Sequence, residues 1–381
     1  MHSDKNTFDN ILVFNHDLKM YPPILSVIAS LVKGGKSVAV LGYCSDPCII
    51  DEITVKGVTF VEVIRNRLND NQVVKLVKLI VYQRRVSAYL QHAALPNTLF
   101  WIFGNENVWL LSSLVARYRT LVYLLEVPQL TISSRYRILA PFANYGKVMR
   151  SAKKVVCCEY NRAHITKSYF GLSELPTVIP NKPEIGENVL VVAASSDLDK
   201  ETRKILLYQG IFNFPERRLE ALCQSIGYLS DDYLVVLMGP DNAYKLKLKE
   251  MYESERVKFV SFISPPNHLQ ITSGAFIGFL TYFAKVGDID SCLNTLYCAP
   301  NKIFEYSKYG VPMISNDVPA LRSMFDSYGA GICIEDLSAR GIADAVERIS
   351  LDYAGFRKGA YRLYESVNFG ALIDSVSLPE R

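Results

Sequence analysis

The stretch from Cys298 to Met324, CAPNKIFEYSKYGVPMISNDVPALRSM, reads as a loop, a helix and a strand in turn. Pro300 and Asn301 suit the loop that opens a helix, KIFEYSKY continues it, Gly310 ends it, and VPMIS begins a buried strand. The first turn of such a helix presents free backbone N–H groups and the positive end of its dipole, a seat for an anion such as a diphosphate. Glu305 lies one turn further along the same helix. A carboxylate there can accept hydrogen bonds from both hydroxyls of a ribose whose phosphates rest at the helix start. On spacing alone, an amphipathic helix after a plain loop fits the same residues.

The alternation continues on both sides of this stretch. KILLYQG (204–210) and YLVVLMG (233–239) are strands ending in glycine, VKFVSF (257–262) and AFIGFLTY (275–282) are further strands, and LEALCQSI (219–226) and KLKLKEMYESE (245–255) are helices. In the first half ILVFN (11–15), SVAVLGY (37–43), VTFVEVI (58–64), LFWIF (99–103), TLVYLLE (120–126) and VVCCE (155–159) are short apolar runs between helical patterns. Runs of this length favour parallel sheets covered on both faces. VIPNKPEIGEN (178–188) breaks the pattern with two prolines and a glycine and reads as a linker. The expected fold class is therefore α/β, with two Rossmann-like, doubly wound domains, 1–180 and 181–355, facing across a cleft.

Composition agrees with two sizeable cores: 381 residues, 49% hydrophobic and 21% charged, exclude a disordered chain, a collagenous fibre or a coiled coil. No run reaches the roughly 18 apolar residues of a membrane span, and MHSDKNTFDN lacks the basic end and apolar centre of a signal peptide. The eight cysteines form no CxxC pair and read as buried thiols of a cytoplasmic protein. Residues 1–180 hold 21 Lys/Arg against 12 Asp/Glu, while the remainder holds 21 against 26. A basic half beside an acidic half points to an anionic partner for the first.

The segment from Pro300 onward resembles the nucleotide-sugar-binding signature of retaining family 4 glycosyltransferases, which have the GT-B fold. That signature runs from a proline through Lys-Ile-Phe-Glu-Tyr and a glycine to a short Pro-Val-Ile strand and a Val-Pro pair. Here Pro300, Lys302 to Tyr306, Gly310, Pro312 to Ile314 and Val318-Pro319 follow in that order. YGAGICIEDLSARGIADAVERI (328–349) is similar to the family's closing strand, loop and helix, and VVCCEYNRAHI with TVIPNKP to its interdomain joint. The resemblance covers residues 150–370 and is thin before them.

It implies a transferase whose second domain binds a nucleotide sugar, UDP-sugar before GDP-sugar, with a closing helix, 356–381, returning to the first domain. Glu305 matches the ribose-binding glutamate, and Pro300, Asn301, Lys302 and Ile303 form the segment whose backbone amides hold the phosphates. Many members carry another glutamate eight positions earlier, where this chain has Tyr297, so recognition of the sugar must differ.

In YQGIFNFPERRLEAL (208–222), Gly210 ends a strand where a phosphate can approach the backbone. The family follows this glycine with an arginine, here Ile211, and some six positions later with a lysine, here matched by Arg217 with Arg218 beside it. An arginine grips phosphate through two parallel N–H bonds, so the diphosphate clamp would survive the change. Gly239 matches a glycine beside the nucleotide base.

The acceptor side is weakly marked. NHDLKMYPP (15–23) replaces the family's glycine-rich turn and leaves His16 and Asp17 at the strand end. Asn105, Glu106 and Glu126 also follow predicted strands, whose carboxyl ends line the ligand crevice of open α/β sheets. One of them is expected to position an acceptor hydroxyl or take its proton. Asp288 and Asp290 in GDIDS imitate an Asp-x-Asp metal motif of a different transferase fold and read as a solvated loop. No histidine pair or cysteine cluster has ligand spacing, so no metal and no cofactor is expected, the nucleotide sugar being a substrate.

VVKLVKLIVYQRR (73–85) and SSRYRILAPFANYGKVMRSAKK (133–154) interleave Lys75, Lys78, Arg84, Arg85, Arg135, Arg137, Lys147, Arg150, Lys153 and Lys154 with apolar residues. Such helices suit an anionic membrane surface or a lipid diphosphate, and no nucleic-acid motif accompanies them. The expectation is a retaining, metal-independent glycosyltransferase of surface polysaccharide or glycolipid synthesis, cytoplasmic or peripheral on the inner face of the cell membrane. The alternatives are a non-catalytic GT-B relative serving as a binding subunit, or a sugar-nucleotide epimerase, which needs a catalytic acid and no acceptor.

Overall fold

The computed structural model describes residues 7–65, 70–128, 134–183 and 201–378. Two compact units divide the chain, Met1–Glu184 with Asn368–Arg381 and Ile185–Val367. The linker expected over 178–188 spans this division, and its residues 184–188 lie outside the described residues.

In the first unit β1 (Phe8–Asp17), β2 (Val38–Tyr43), β3 (Thr59–Glu62), β4 (Ala94–Phe103), β5 (Thr120–Leu124), β6 (Lys154–Cys157) and β7 (Thr177–Val178) form one parallel sheet, ordered β3-β2-β1-β4-β5-β6-β7. The run Ile11 to Phe14 is wholly buried because both faces are covered. Ile11 and Val13 pack with Leu79, Tyr82, Val86 and Leu90 of the helix Gln72–Ala93. Leu12 and Phe14, on the opposite face, pack with Ile24, Val27, Ile28 and Leu31 of the helix Pro22–Lys33. A two-residue alternation thus feeds two cores, which is why the strand reads as an unbroken apolar run.

The second unit repeats the plan. β8 (Lys204–Gln209), β9 (Tyr233–Met238), β10 (Val257–Val260), β11 (Ile277–Leu280), β12 (Met313–Asn316) and β13 (Gly331–Ile334) are all parallel, in the order β10-β9-β8-β11-β12-β13. Leu206 and Tyr208 face the helix Ala339–Leu351, while Ile205 and Leu207 face Ile303 and Tyr306 of the helix Asn301–Lys308.

The return to the first unit comes later than residue 356. The helix Tyr353–Glu365 stays on the second unit: a Cβ on Gly359 would lie 2.1 Å from Gly329 O, Arg362 donates to Tyr328 O at 2.7 Å, and the Tyr361 hydroxyl donates to Tyr309 O at 3.2 Å. Only the helix Phe369–Ser377 crosses, burying Phe369, Ile373 and Val376 against the helix Pro22–Lys33. Among the described residues, no helix is long and apolar enough to cross a membrane.

Candidate functional site

Parallel pairing puts every strand's carboxyl end on one edge of its sheet, and the chemically notable residues of each unit collect there. In the second unit the helix Asn301–Lys308 begins after Pro300, which is extended (φ −76°, ψ 136°) and gives no side-chain cap. The first-turn N–H groups are left to a ligand or solvent. Ile303 does not join them through its side chain, which is fully buried in the core, and its N–H is taken by Pro300 O at 3.3 Å.

Glu305, one turn on, is buried and held by two side chains, one of them fixed in turn by a third. The Gln209 side-chain amide donates to Oε2 at 2.6 Å, Thr272 Oγ1 in turn donates to Gln209 Oε1 at 2.7 Å, and His268 Nε2 lies 3.5 Å from the same carboxylate oxygen. Burial pushes the carboxyl's pKa up, but His268, the charge of Lys302 and the Gln209 bond together hold it below the ordinary range. Glu305 is therefore an oriented anion with Oε1 unassigned by these contacts, suited to accept from a diol.

Gly210 follows the end of β8 at φ +150°. A Cβ there would sit 2.7 Å from Lys302 Cε, 3.2 Å from Nζ and 3.4 Å from the Tyr208 hydroxyl. The Lys302 stem crosses this glycine, which explains the missing side chain. Burial and Arg217 depress the Lys302 ammonium, with Glu305 opposing. Arg217 lies in the turn before the helix Glu220–Ser225. Its guanidinium covers the Tyr282 ring at 4.1 Å and donates to Glu216 O at 2.9 Å. Among the described residues, neither Arg217 nor Lys302 has a carboxylate within ion-pair distance. Two cations with no carboxylate at ion-pair distance among the described residues, Lys302 feeling Glu305 only at longer range, thus lie near an uncapped helix end, an arrangement that lowers its energy by taking an anion.

The other donor-side candidates separate from this pair. Arg218 covers Phe283 at 4.2 Å and lines a groove of about 740 Å³ with Glu220, Asn316, Asp317 and Glu335, whose walls include neither Arg217, Lys302 nor Glu305. Ile211 is half exposed and brings no charge. A Cβ on Gly239 would lie 1.9 Å from Gly210 O, so that glycine is required by the close approach of two strand ends. Asp288 caps the helix Ile289–Leu296 by accepting from Ser291 N.

In the first unit two expected residues serve the scaffold. Asp17 Oδ1 accepts from Lys19 N at 3.2 Å and Ser45 N at 3.0 Å, while buried Asn105 donates to Val127 O at 3.0 Å and accepts from the Tyr145 hydroxyl at 2.6 Å. Three others come together. His16 Nε2 lies 3.5 Å from Glu106 Oε2, and Tyr136 donates its hydroxyl to that oxygen at 2.5 Å. Tyr21 is pushed up by burial and by the charges of Glu126 and Glu106, so Glu126 faces the same cluster.

No family model matches the chain, and no curated protein matches it in sequence. Solved structures do. Anabaena HepE, determined with UDP-glucose, is 14% identical, with a TM-score of 0.66 over 97% of this chain and 98% of that one. WaaG, a glycosyltransferase involved in lipopolysaccharide biosynthesis, is 12% identical, with a TM-score of 0.62 over 97% and 98%. A putative UDP-N-acetylglucosamine 2-epimerase from Listeria monocytogenes is 11% identical, with a TM-score of 0.61 over 97% and 95%. The fold is GT-B. GT-B serves both a sugar transferase and an epimerase in these relatives, so chemistry must be argued from the site.

Gln209, Thr272, His268, Tyr282, Tyr21 and Tyr136 were not picked out from the sequence. Gln209 alone carried a signal, as the polar residue closing an otherwise apolar strand. The others reach the cluster of their own unit from distant positions that only the fold joins.

Proposed function

We propose that this protein is a glycosyltransferase that takes a sugar from a nucleotide sugar, UDP-sugar before GDP-sugar, and passes it to a hydroxyl of a glycan or lipid-linked acceptor. The observation that carries the reading is the convergence of Lys302 and Arg217, without carboxylate partners among the described residues, on an uncapped helix end with Glu305 one turn away. The helix amides and both cations would receive the diphosphate, and Glu305 the ribose. As the bond to the sugar breaks, charge grows on the diphosphate, and these preorganised donors favour that state over the ground state. The charge work is assigned to Arg217, Lys302 and the helix end rather than to a metal. Retention of configuration rests on the sequence resemblance.

The acceptor is assigned to the first unit. On its helix Gln72–Ala93, exposed Val73, Val74, Val77 and Val81 share a face with exposed Arg84 and Arg85, and exposed Ile138 and Phe142 neighbour Arg137 and Lys147. Lys78 is paired with Asp70, Arg150 with Phe170 O, and the Arg135 side chain lies outside the described residues. Apolar and cationic groups on one face fit an anionic membrane, the expected setting of surface polysaccharide or glycolipid synthesis at its inner side.

The test is turnover: release of free UDP from UDP-glucose, UDP-galactose and UDP-N-acetylglucosamine, with and without chelator, followed by NMR of the released or transferred sugar. The proposal expects net loss of sugar from UDP, insensitive to chelator and abolished in Glu305→Ala. A new epimer still attached to UDP would instead assign the site to epimerisation.

A further inference from the structure

Glu305 is fixed more tightly than an anion seat alone requires, and the residues that fix it lie on other elements of the same unit. Gln209, which closes β8, is 3% exposed, and Thr272, on the helix Leu269–Ser273, is fully buried. The Thr272 hydroxyl has one proton and two acceptors in reach, Gln209 Oε1 at 2.7 Å and His268 O at 3.2 Å, and the shorter bond goes to the glutamine. A side-chain amide has one accepting and one donating end. With its oxygen held by Thr272, Gln209 turns its nitrogen to Glu305 Oε2 at 2.6 Å. His268 Nε2 stands 3.5 Å from that same oxygen, and its Nδ1 is buried without a partner among the described residues. Oε2 is thereby committed to the protein. No described residue donates to Oε1, and the Glu305 side chain keeps 10% of its surface open to a ligand.

We propose that Thr272 and Gln209 are positioning residues that hold Glu305 in one orientation and so restrict the sugar donor to ribonucleotides, an inference that rests on the reading above of Glu305 as the ribose partner. The adjacent hydroxyls of a ribose present two donors, and Oε1 with its two lone pairs can accept both. A 2′-deoxynucleotide, the carrier in dTDP-sugars, presents one. A carboxylate free to turn adapts to a single hydroxyl at little cost. A carboxylate pinned through Oε2 does not, and the lone pair facing the missing hydroxyl stays unpaired in a buried site. Removing the Thr272 hydroxyl strands Gln209 Oε1, to which no other described residue donates, so the amide turns and releases Oε2. Discrimination is then lost while the seat of the diphosphate is kept, because Lys302, Arg217 and the helix start make no contact with this amide.

The experiment measures, by calorimetry on the full chain, the affinities of UDP, GDP, their 2′-deoxy counterparts and inorganic diphosphate. Wild type should bind the ribonucleotide about 10-fold or more tighter than its deoxy form, the worth of one hydrogen bond to a charged group. Thr272→Val and Gln209→Leu should bring that ratio to within about 3-fold of unity and leave the affinity for diphosphate unchanged. Thr272→Ser, which restores the hydroxyl, should keep the wild-type ratio, an outcome that a role in packing alone would not produce. Thr272→Val combined with Gln209→Leu strands neither member of that pair and carries the test where a single variant does not fold. Equal binding of both forms by wild type would overturn the proposal, and so would a wild-type ratio retained in Thr272→Val and Gln209→Leu. If neither UDP nor GDP binds, the nucleotide-sugar reading falls first and this one with it.

Discussion

Replacing Gly210 with alanine probes the donor site at its tightest point. The backbone there has φ +150°, a sparsely populated region that costs a residue with a Cβ roughly 1–3 kcal/mol. The new methyl would also lie 2.7 Å from Lys302 Cε. That atom is near the end of a flexible chain, so it can swing away, but the ammonium then leaves the position beside Arg217. Losing one hydrogen bond between charged groups costs about 1.5–3 kcal/mol, or roughly 10- to 150-fold in affinity. Gly210→Ala should therefore lower unfolding stability by roughly 1–3 kcal/mol in urea and weaken UDP binding, measured by calorimetry, by that factor. Lys302→Ala should weaken binding equally with little loss of stability, since it removes a depressed, buried cation. The double variant should bind no worse than either single one, because both remove the same ammonium. Affinity losses that multiply in the double variant would refute the reasoning, and so would unaltered binding in Lys302→Ala.

Other consequences are open to equally direct tests. Glu305 has its folded-state pKa lowered, so its ionised form stabilises the fold above the unfolded carboxyl's ordinary value, about 4.3. That contribution is lost as pH falls through the depressed folded value, so UDP affinity followed by calorimetry should hold down to the ordinary carboxyl value, about 4.3, and fall only below it. Truncation after Val367 removes Phe369, Ile373 and Val376 from the first unit's core and should cost about 5 kcal/mol or more in urea unfolding. Arg84→Glu with Arg85→Glu should abolish sedimentation with phosphatidylglycerol vesicles at low salt while leaving UDP binding unchanged, and retained sedimentation would remove the membrane reading.

The sequence disclosed the fold through strands such as Ile11 to Phe14 and Ile205 to Tyr208, whose unbroken burial is the direct imprint of a sheet covered on both faces. Glu305 and the helix start are legible because the anion seat and ribose partner proposed above are local, one turn apart on one element. The Lys302–Arg217 pair was legible only as two separate candidates, since the approach of Lys302 to Gly210 depends on how the Asn301–Lys308 helix packs across β8. The resemblance implies a return at residue 356, whereas Tyr353–Glu365 stays on the second unit. What keeps it on the second unit is the fit of Gly359 against Gly329 O, a contact with no signature in spacing. On the acceptor side His16 and Glu106 lie 90 positions apart, and Tyr136, which ties the carboxylate, follows by another 30.

The most direct measurement of the central claim is thermal unfolding against a panel of UDP-, GDP-, ADP- and CMP-sugars, with and without chelator. A ligand at about 100 times its dissociation constant adds ~2.7 kcal/mol, or roughly 5–10 °C for a unit of this size. A shift from one nucleotide class, unaffected by chelator and lost in both Glu305→Ala and Lys302→Ala, is the predicted result. No shift from any nucleotide sugar would contradict the account and return the protein to the reading of a non-catalytic GT-B binding subunit.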